Sequence, residues 1–220
     1  VDFILRITPY SILALITKFI AMSSLDSILK LITFVVASYT AILLMFAVHL
    51  LLLSLARYNP LHYVRKAFPT LSFAFMSRTS AGTLPLTVRT LEKDLGVSGG
   101  IANLSASFGI SIGQNGCAGV YPAMLAVMIA PTVGIDPFTL PFLLKLVIVT
   151  ALGSLGIAGV GGGATFAAIV VLSTMGLPVR LVGLLIAIEP LIDMGRTALN
   201  VSDAMVTALL TQRLTGEQPA

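Results

Sequence analysis

Residues 33–56 contain no Asp, Glu, Lys or Arg and one histidine, His49. At about 1.5 Å per residue, a helix of that length exceeds a hydrocarbon core of about 30 Å, so the run predicts one tilted transmembrane helix. The remaining composition agrees: 57% of the 220 residues are hydrophobic, 10% are charged and none is Trp. A soluble core requires no such excess, and the chain reads as an integral membrane protein. Arg57, Arg65 and Lys66, with His62 nearby, cluster just past the run, and the positive-inside rule puts that loop in the cytoplasm. The net charge of +4 does not point to nucleic acid, because the basic residues are scattered or loop-bound rather than gathered on one face. The lone Cys117 excludes an internal disulfide and matches no zinc spacing, which leaves a small core residue as its simplest role. The chain starts at Val1 and shows no secretory leader pattern, so it reads as a fragment of a longer protein.

Residues 3–22 are apolar but carry Arg6, Pro9 and Lys18, which predicts a kinked helix packed on protein or lying partly at the interface. Residues 61–76 are too short to cross a bilayer and run into SRTSAGT (residues 77–83), a polar tip. The chain resumes at Leu84-Pro85, where proline suits a first helical turn, and reaches the charged loop signal EKDLGVSGG. Together these predict a hairpin with a serine-rich tip. Residues 101–130 have a spanning length but are interrupted by GQNGCAG (residues 113–119), which a lipid-facing helix would not tolerate. The order then repeats. Residues 138–152 and 164–175 flank the glycine-rich GSLGIAGVGGG (residues 153–163), and a last long segment carries EPLIDMGRTALN (residues 189–200). Short, interrupted segments in corresponding positions of two halves are the sequence pointer to the binding site of a secondary transporter. The competing explanation is that membrane helices simply use more glycine for close packing, which accounts for a single small-residue motif better than for an ordered repeat.

Glu189, Asp193, Arg196, Thr197 and Asn200 fall on one face of a helix. Burying an arginine or aspartate mid-helix costs about 2.5–3.5 kcal/mol on insertion scales, so such residues face a cavity or a partner. One reading is an Asp193–Arg196 ion pair that holds two helices together. The other is an amino-acid site, with Asp193 for an ammonium, the planar fork of Arg196 for a carboxylate and Asn200 for either backbone group. A half-helix starting within the membrane offers free N–H groups to an anion, which suits SRTSAGT, whereas the glycine tip offers carbonyls to a hard cation such as Na⁺ and flexibility to a gate.

These motifs resemble those of the dicarboxylate and amino acid:cation symporters, the family that includes the glutamate transporters. SRTSAGTLP looks like its first hairpin tip, AGVGGG like its second and DMGRTALN like its final-helix motif, and the likeness extends over about residues 9–217. The resemblance implies an all-α polytopic membrane protein with a glutamate-transporter-like fold of two re-entrant helical hairpins and broken transmembrane helices. Residues 1–58 would be two transmembrane helices at the boundary between scaffold and transport core, and residues 59–220 the core. Within it lie the first hairpin (61–95), a broken helix (101–131), the second hairpin (138–178) and the final helix (181–213). An elevator mechanism, a homotrimer in a bacterial cell membrane, the second hairpin as gate, and Na⁺ and/or H⁺ as coupling ion without another cofactor are implied too. Carried over, Asp193 would meet the substrate ammonium, Arg196 a distal carboxylate, and Thr197 and Asn200 its polar groups. Ser80 and Val160 would close on the α-carboxylate, with Arg78 bracing Glu189 or Asp193.

Two departures bear on coupling. The family's Asn-Met-Asp-Gly-Thr is replaced by Gly113-Gln114-Asn115-Gly116-Cys117, and a cation-binding aspartate of the glutamate transporters is replaced by Ala204; Asp203 is adjacent but about 100° around the helix. The resemblance leaves a cation site built mostly from backbone carbonyls at Ser111, Gln114, Ser154, Leu155 and Ile157, with Gly109 and Asn115 alongside. Fewer sodium ions than the glutamate transporters use, or protons carried by Glu189, would then drive transport. GQNGCAG and EPLIDMGRTALNVS look most similar to the bacterial L-cystine symporter branch, with glutamate, aspartate or a C4-dicarboxylate as the alternative substrate. An intramembrane protease fits poorly, because Glu189 and Asp193 share a helix, no GxGD occurs, and neither His49 nor His62 adjoins a broken segment. A channel would transport without saturable exchange.

Overall fold

The computed structural model describes residues 17, 25–156, 162–182 and 188–217. The expectations for Ile157, Val160 and most of residues 3–22 fall outside them. Every regular element among the described residues is helical. Helix α1 (Leu25–Leu55) takes in Asp26 and Lys30 ahead of the uncharged run and ends where Arg57 adopts φ 64°. Among the described residues two stretches, Ile32–Leu55 and Asn115–Val133, are long and apolar enough to cross a membrane. Only 17% of the apolar window in the first is covered by the other described residues, which leaves most of that surface apolar and open.

Helix α2 (Pro60–Ser77) opens on Asn59, whose Oδ1 accepts from the Leu61 and His62 N–H groups at 3.0 and 3.2 Å, with Pro60 where its missing N–H costs nothing. It stops at Arg78, whose φ of 55° is left-handed. Thr79 then caps α3 (Ser80–Arg89), its Oγ1 accepting from the Gly82 N–H at 3.1 Å. The two helices run antiparallel, tied by a 2.7 Å bond between the Thr70 and Thr90 hydroxyls. Glu92, Lys93 and Asp94, expected in a loop, instead continue α3 as a π-helical turn (Thr90–Asp94). The Thr70–Thr90 bond and a Lys66–Asp94 pair at 3.8 Å hold that turn against α2.

Helix α4 (Gly99–Gly109) breaks at residues 110–114, and the chain resumes as a π-helical turn (Asn115–Val120) leading into α5 (Tyr121–Ile129) and a 3₁₀ turn (Ala130–Val133). Helix α6 (Leu140–Gly153), a 3₁₀ turn (Ser154–Gly156) and α7 (Gly163–Met175) make a second contacting pair. The last long segment reads from sequence as one helix over 181–213; among the described residues it comprises a 3₁₀ turn (Val179–Leu181) and the helix α8 (Glu189–Thr215). The first turn of α8 holds Pro190, where a missing N–H costs little.

Two apolar cores result. One gathers Tyr121, Leu125, Phe142, Leu146, Ala168 and Leu172 from α5, α6 and α7; the other gathers Tyr63, Ala67, Leu91, Ile101, Met205 and Leu209 from α2, α3, α4 and α8. Helix α1 contributes Phe34 and Ile42 to the first and Leu53 to the second, and α8 likewise reaches both. The polar residues of the broken segments lie where the cores meet.

Candidate functional site

Arg196 is the largest fully buried side chain, at 0% exposure. Its Nη2 donates to Glu189 Oε1 and, at 3.1 Å, to Asp193 Oδ1, and its guanidinium lies 4.2 Å from the centroid of the Tyr121 ring. Spacings of seven and three residues put both carboxylates on the α8 face that carries the arginine. The Asp193–Arg196 ion pair is therefore present, but it does not satisfy the arginine. Nε and Nη1 are buried without a hydrogen-bond partner among the described residues. Unpaired N–H groups on a buried cation are costly to leave unmade, and a planar guanidinium edge is shaped for a carboxylate.

The first tip reaches the same site. The left-handed turn at Arg78 brings its Nε to 3.5 Å from Asp193 Oδ2, so Asp193 lies between two guanidiniums. Arg78 and Ser80 line a small cavity with Gln114, Cys117, Asp193, Thr197 and Asn200, which unites the first tip, the first broken helix and α8.

Asn200 has a different placement from the one its sequence position suggests. Its Oδ1 accepts from the backbone N–H groups of Gly116 at 2.7 Å and Cys117 at 3.4 Å, and its Nδ2 donates to Cys117 Sγ at 3.1 Å. The amide thus joins α8 to the first turn of the resumed helix. Gly116 makes the approach possible: a Cβ there would lie 2.6 Å from the Arg196 carbonyl oxygen. Further along α8, Gly109 of α4 packs so closely that a Cβ would lie 2.5 Å from that of Ala204. Space that a longer side chain at 204 would need is taken by the α4 backbone.

Among the residues proposed for a cation, Ser154 accepts through its carbonyl from the Gly113 N–H at 3.2 Å, which joins the first break to the second tip. Gln114 is buried, with Nε2 donating to the Ile110 carbonyl at 3.3 Å and Oε1 left without a partner among the described residues. Asn115 begins the π-helical turn, while Ser111 and Leu155 are exposed. Gln114 and Ser154 are thus brought near one junction. An orphaned buried oxygen beside a carbonyl-lined break is a donor set that fits a hard cation.

Several contributors were not singled out from sequence. Tyr121 lies under Arg196, and Tyr39 of α1 donates to the Leu191 carbonyl at 2.7 Å. Gly195 accommodates this contact, since a Cβ there would meet the Tyr39 ring at 3.0 Å. The available signal was proximity in the sequence: Tyr121 follows GQNGCAG by two residues.

The sodium:dicarboxylate symporter family model matches residues 1–214. The chain belongs to that family. It is 59% identical over 217 residues to the L-cystine uptake protein TcyP of Bacillus thuringiensis (strain Al Hakam), covering 99% of this chain and 47% of the relative. To the protein of the same name from Bacillus licheniformis it is 60% identical over 217 residues, again 99% and 47%, and to that from Shouchella clausii 60% over 216 residues, 98% and 46%. The chain spans about half the length of these relatives. As a member of the symporter family it is a membrane protein, and the relatives' names are those of transporters.

Proposed function

We propose that the protein is a secondary active symporter that imports L-cystine, coupled to a cation gradient, across the bacterial cell membrane in which it is a multi-pass protein. The observation that carries the substrate is the charge balance around Arg196. Two guanidiniums, Arg78 and Arg196, face two carboxylates, Glu189 and Asp193. A dianionic C4-dicarboxylate would favour unneutralised arginines. A molecule with an ammonium and a carboxylate at each end matches a site that is already balanced, exchanging internal pairs for pairs with the substrate. The names of the relatives, at 59–60% identity, support the same choice.

In this reading one end of L-cystine places its ammonium at Asp193 and its α-carboxylate at the N-terminus of α3 around Ser80, with Val160 closing from the other side. The distal carboxylate takes the free edge of Arg196. Thr197 and Asn200 supply the remaining polar contacts. Na⁺ is a co-substrate held near Gly109, Ser111, Gln114, Asn115, Ser154, Leu155 and Ile157, supported by the orphaned Gln114 oxygen. Residues 59–220 would move as an elevator, with the α2–α3 and α6–α7 pairs as re-entrant hairpins, the latter gating, α1 at the boundary between scaffold and transport core, and three copies assembling.

Uptake of labelled L-cystine into proteoliposomes, with and without an inward sodium gradient and with excess L-aspartate as competitor, tests this reading. Saturable uptake that needs sodium and resists aspartate is expected. Aspartate uptake without L-cystine uptake would refute the substrate, and L-cystine uptake that follows an imposed pH gradient without sodium would replace Na⁺ by H⁺.

A further inference from the structure

A second set of titratable groups, apart from Arg196, joins three helices. His49 is the only acidic or basic side chain of α1 within residues 33–56, and it is 1% exposed. Both ring nitrogens face α8: Nδ1 is 3.0 Å from Ser202 Oγ, and Nε2 is 3.5 Å from Asp203 Oδ1. Ser202 Oγ is in turn 2.8 Å from the Tyr63 hydroxyl of α2, and Phe46 stands edge-on to the imidazole at 6.0 Å between centroids. Asp203 faces His49 from α8, and Tyr63 faces it from α2 through Ser202. The Asp203 side chain is 30% exposed, so the buried imidazole is one residue from water.

An imidazole held against a carboxylate in apolar surroundings can take one proton at no net cost in charge, because the imidazolium and carboxylate then neutralise each other. Loss of that proton leaves a lone carboxylate at the more exposed partner. Ionisable groups within membrane-spanning helices mark ion or proton paths more often than structural struts. Position adds to this. Asp203 lies three residues beyond Asn200, less than one turn along α8, and Asn200 holds Gly116 and Cys117 at the cavity. Helix α1 therefore grips α8 at two levels, by the neutral Tyr39 bond to Leu191 and by the charge-dependent His49–Asp203 contact.

We propose that His49 and Asp203 form a proton-binding site that tethers α1 to α8, and that its occupancy is coupled through α8 to substrate binding. The coupling rests on the L-cystine reading, whereas the proton site does not. The site is separate from Glu189, which is committed to Arg196.

The test is ¹⁵N NMR of the histidine rings in the protein in lipid nanodiscs, with the His49 signal assigned by its loss in His49→Gln. Across a pH series the His49 ring shifts are expected to report binding of a proton, and Asp203→Asn, which keeps the shape but removes the charge, is expected to alter that pH response. Saturating L-cystine should alter the wild-type pH response as well. A His49 signal that does not titrate, or that titrates identically in Asp203→Asn, overturns the proton site whatever the substrate. An unchanged titration with L-cystine, in protein that does accumulate L-cystine, overturns the coupling. Uptake offers a readout a strut would not move: His49→Gln should flatten one limb of the pH profile while keeping uptake at the optimum within about threefold, and an unaltered profile contradicts the proposal.

Discussion

The two contacting helix pairs, α2–α3 and α6–α7, are attached in different ways. The pair α2–α3 is fastened by polar groups: the Thr70–Thr90 hydroxyl bond within it, Arg78 to Asp193 and Tyr63 to Ser202 across to α8. The pair α6–α7 meets its neighbours through apolar side chains such as Phe142, Leu146, Ala168 and Val171, and through the backbone bond from Gly113 to Ser154. Hydrogen bonds and ion pairs are directional and fix a geometry, whereas apolar burial is non-directional and tolerates sliding. One side of the site is built as a wall. The other has the attachments expected of a part that moves.

The hardest blow to the wall is Arg196→Leu. It leaves Glu189 and Asp193 buried without their common partner, and breaking such a pair typically costs about 3–5 kcal/mol. Uptake should fall to background and the melting temperature should drop; near-normal uptake would mean that no substrate carboxylate uses the guanidinium. Gly116→Ala comes next. Its methyl group must push the resumed helix off the Arg196 carbonyl, at about 1–3 kcal/mol for overpacking, so thermal unfolding should move down with uptake strongly reduced. Asn200→Ala strips the acceptor from the Gly116 N–H and should cost about 1–3 kcal/mol. Asn200→Asp, which keeps an acceptor, should recover most of the melting temperature but not the uptake. The smallest effect belongs to the α6–α7 side. Gly162→Ala forces a side chain onto φ 89° at the start of α7, a strain of about 1–2 kcal/mol. The melt should fall less than in Gly116→Ala while the uptake rate changes; a melting loss as large as that of Gly116→Ala would erase the distinction between the pairs.

The same division explains what could be read from sequence. Interruptions were legible because polar and glycine runs inside apolar segments have few other uses in a membrane: α2 stops at Ser77, and α4 at Gly109 just ahead of GQNGC. Helical spacing brought Glu189, Asp193 and Arg196 to one face. Contacts between distant segments left no such trace. That Asn200 would serve the backbone of Gly116 and Cys117, that Tyr121 would lie against Arg196, and that Asp203 would find His49 some 150 residues away all depend on tertiary packing. Charge misled at Glu92–Lys93–Asp94, where three charged residues suggested a loop; the Thr70–Thr90 bond and the Lys66–Asp94 pair keep them in a helical turn.

The most direct measurement is a pair of spin-label distances taken with and without saturating L-cystine, in lipid nanodiscs. One label at the exposed Leu191 of α8 serves both, paired with Leu155 at the second tip or with Leu104 on α4, both exposed. The account predicts that L-cystine changes the 155–191 distance distribution and leaves 104–191 as it was. Equal changes in both, or none in either while L-cystine is bound, would contradict it.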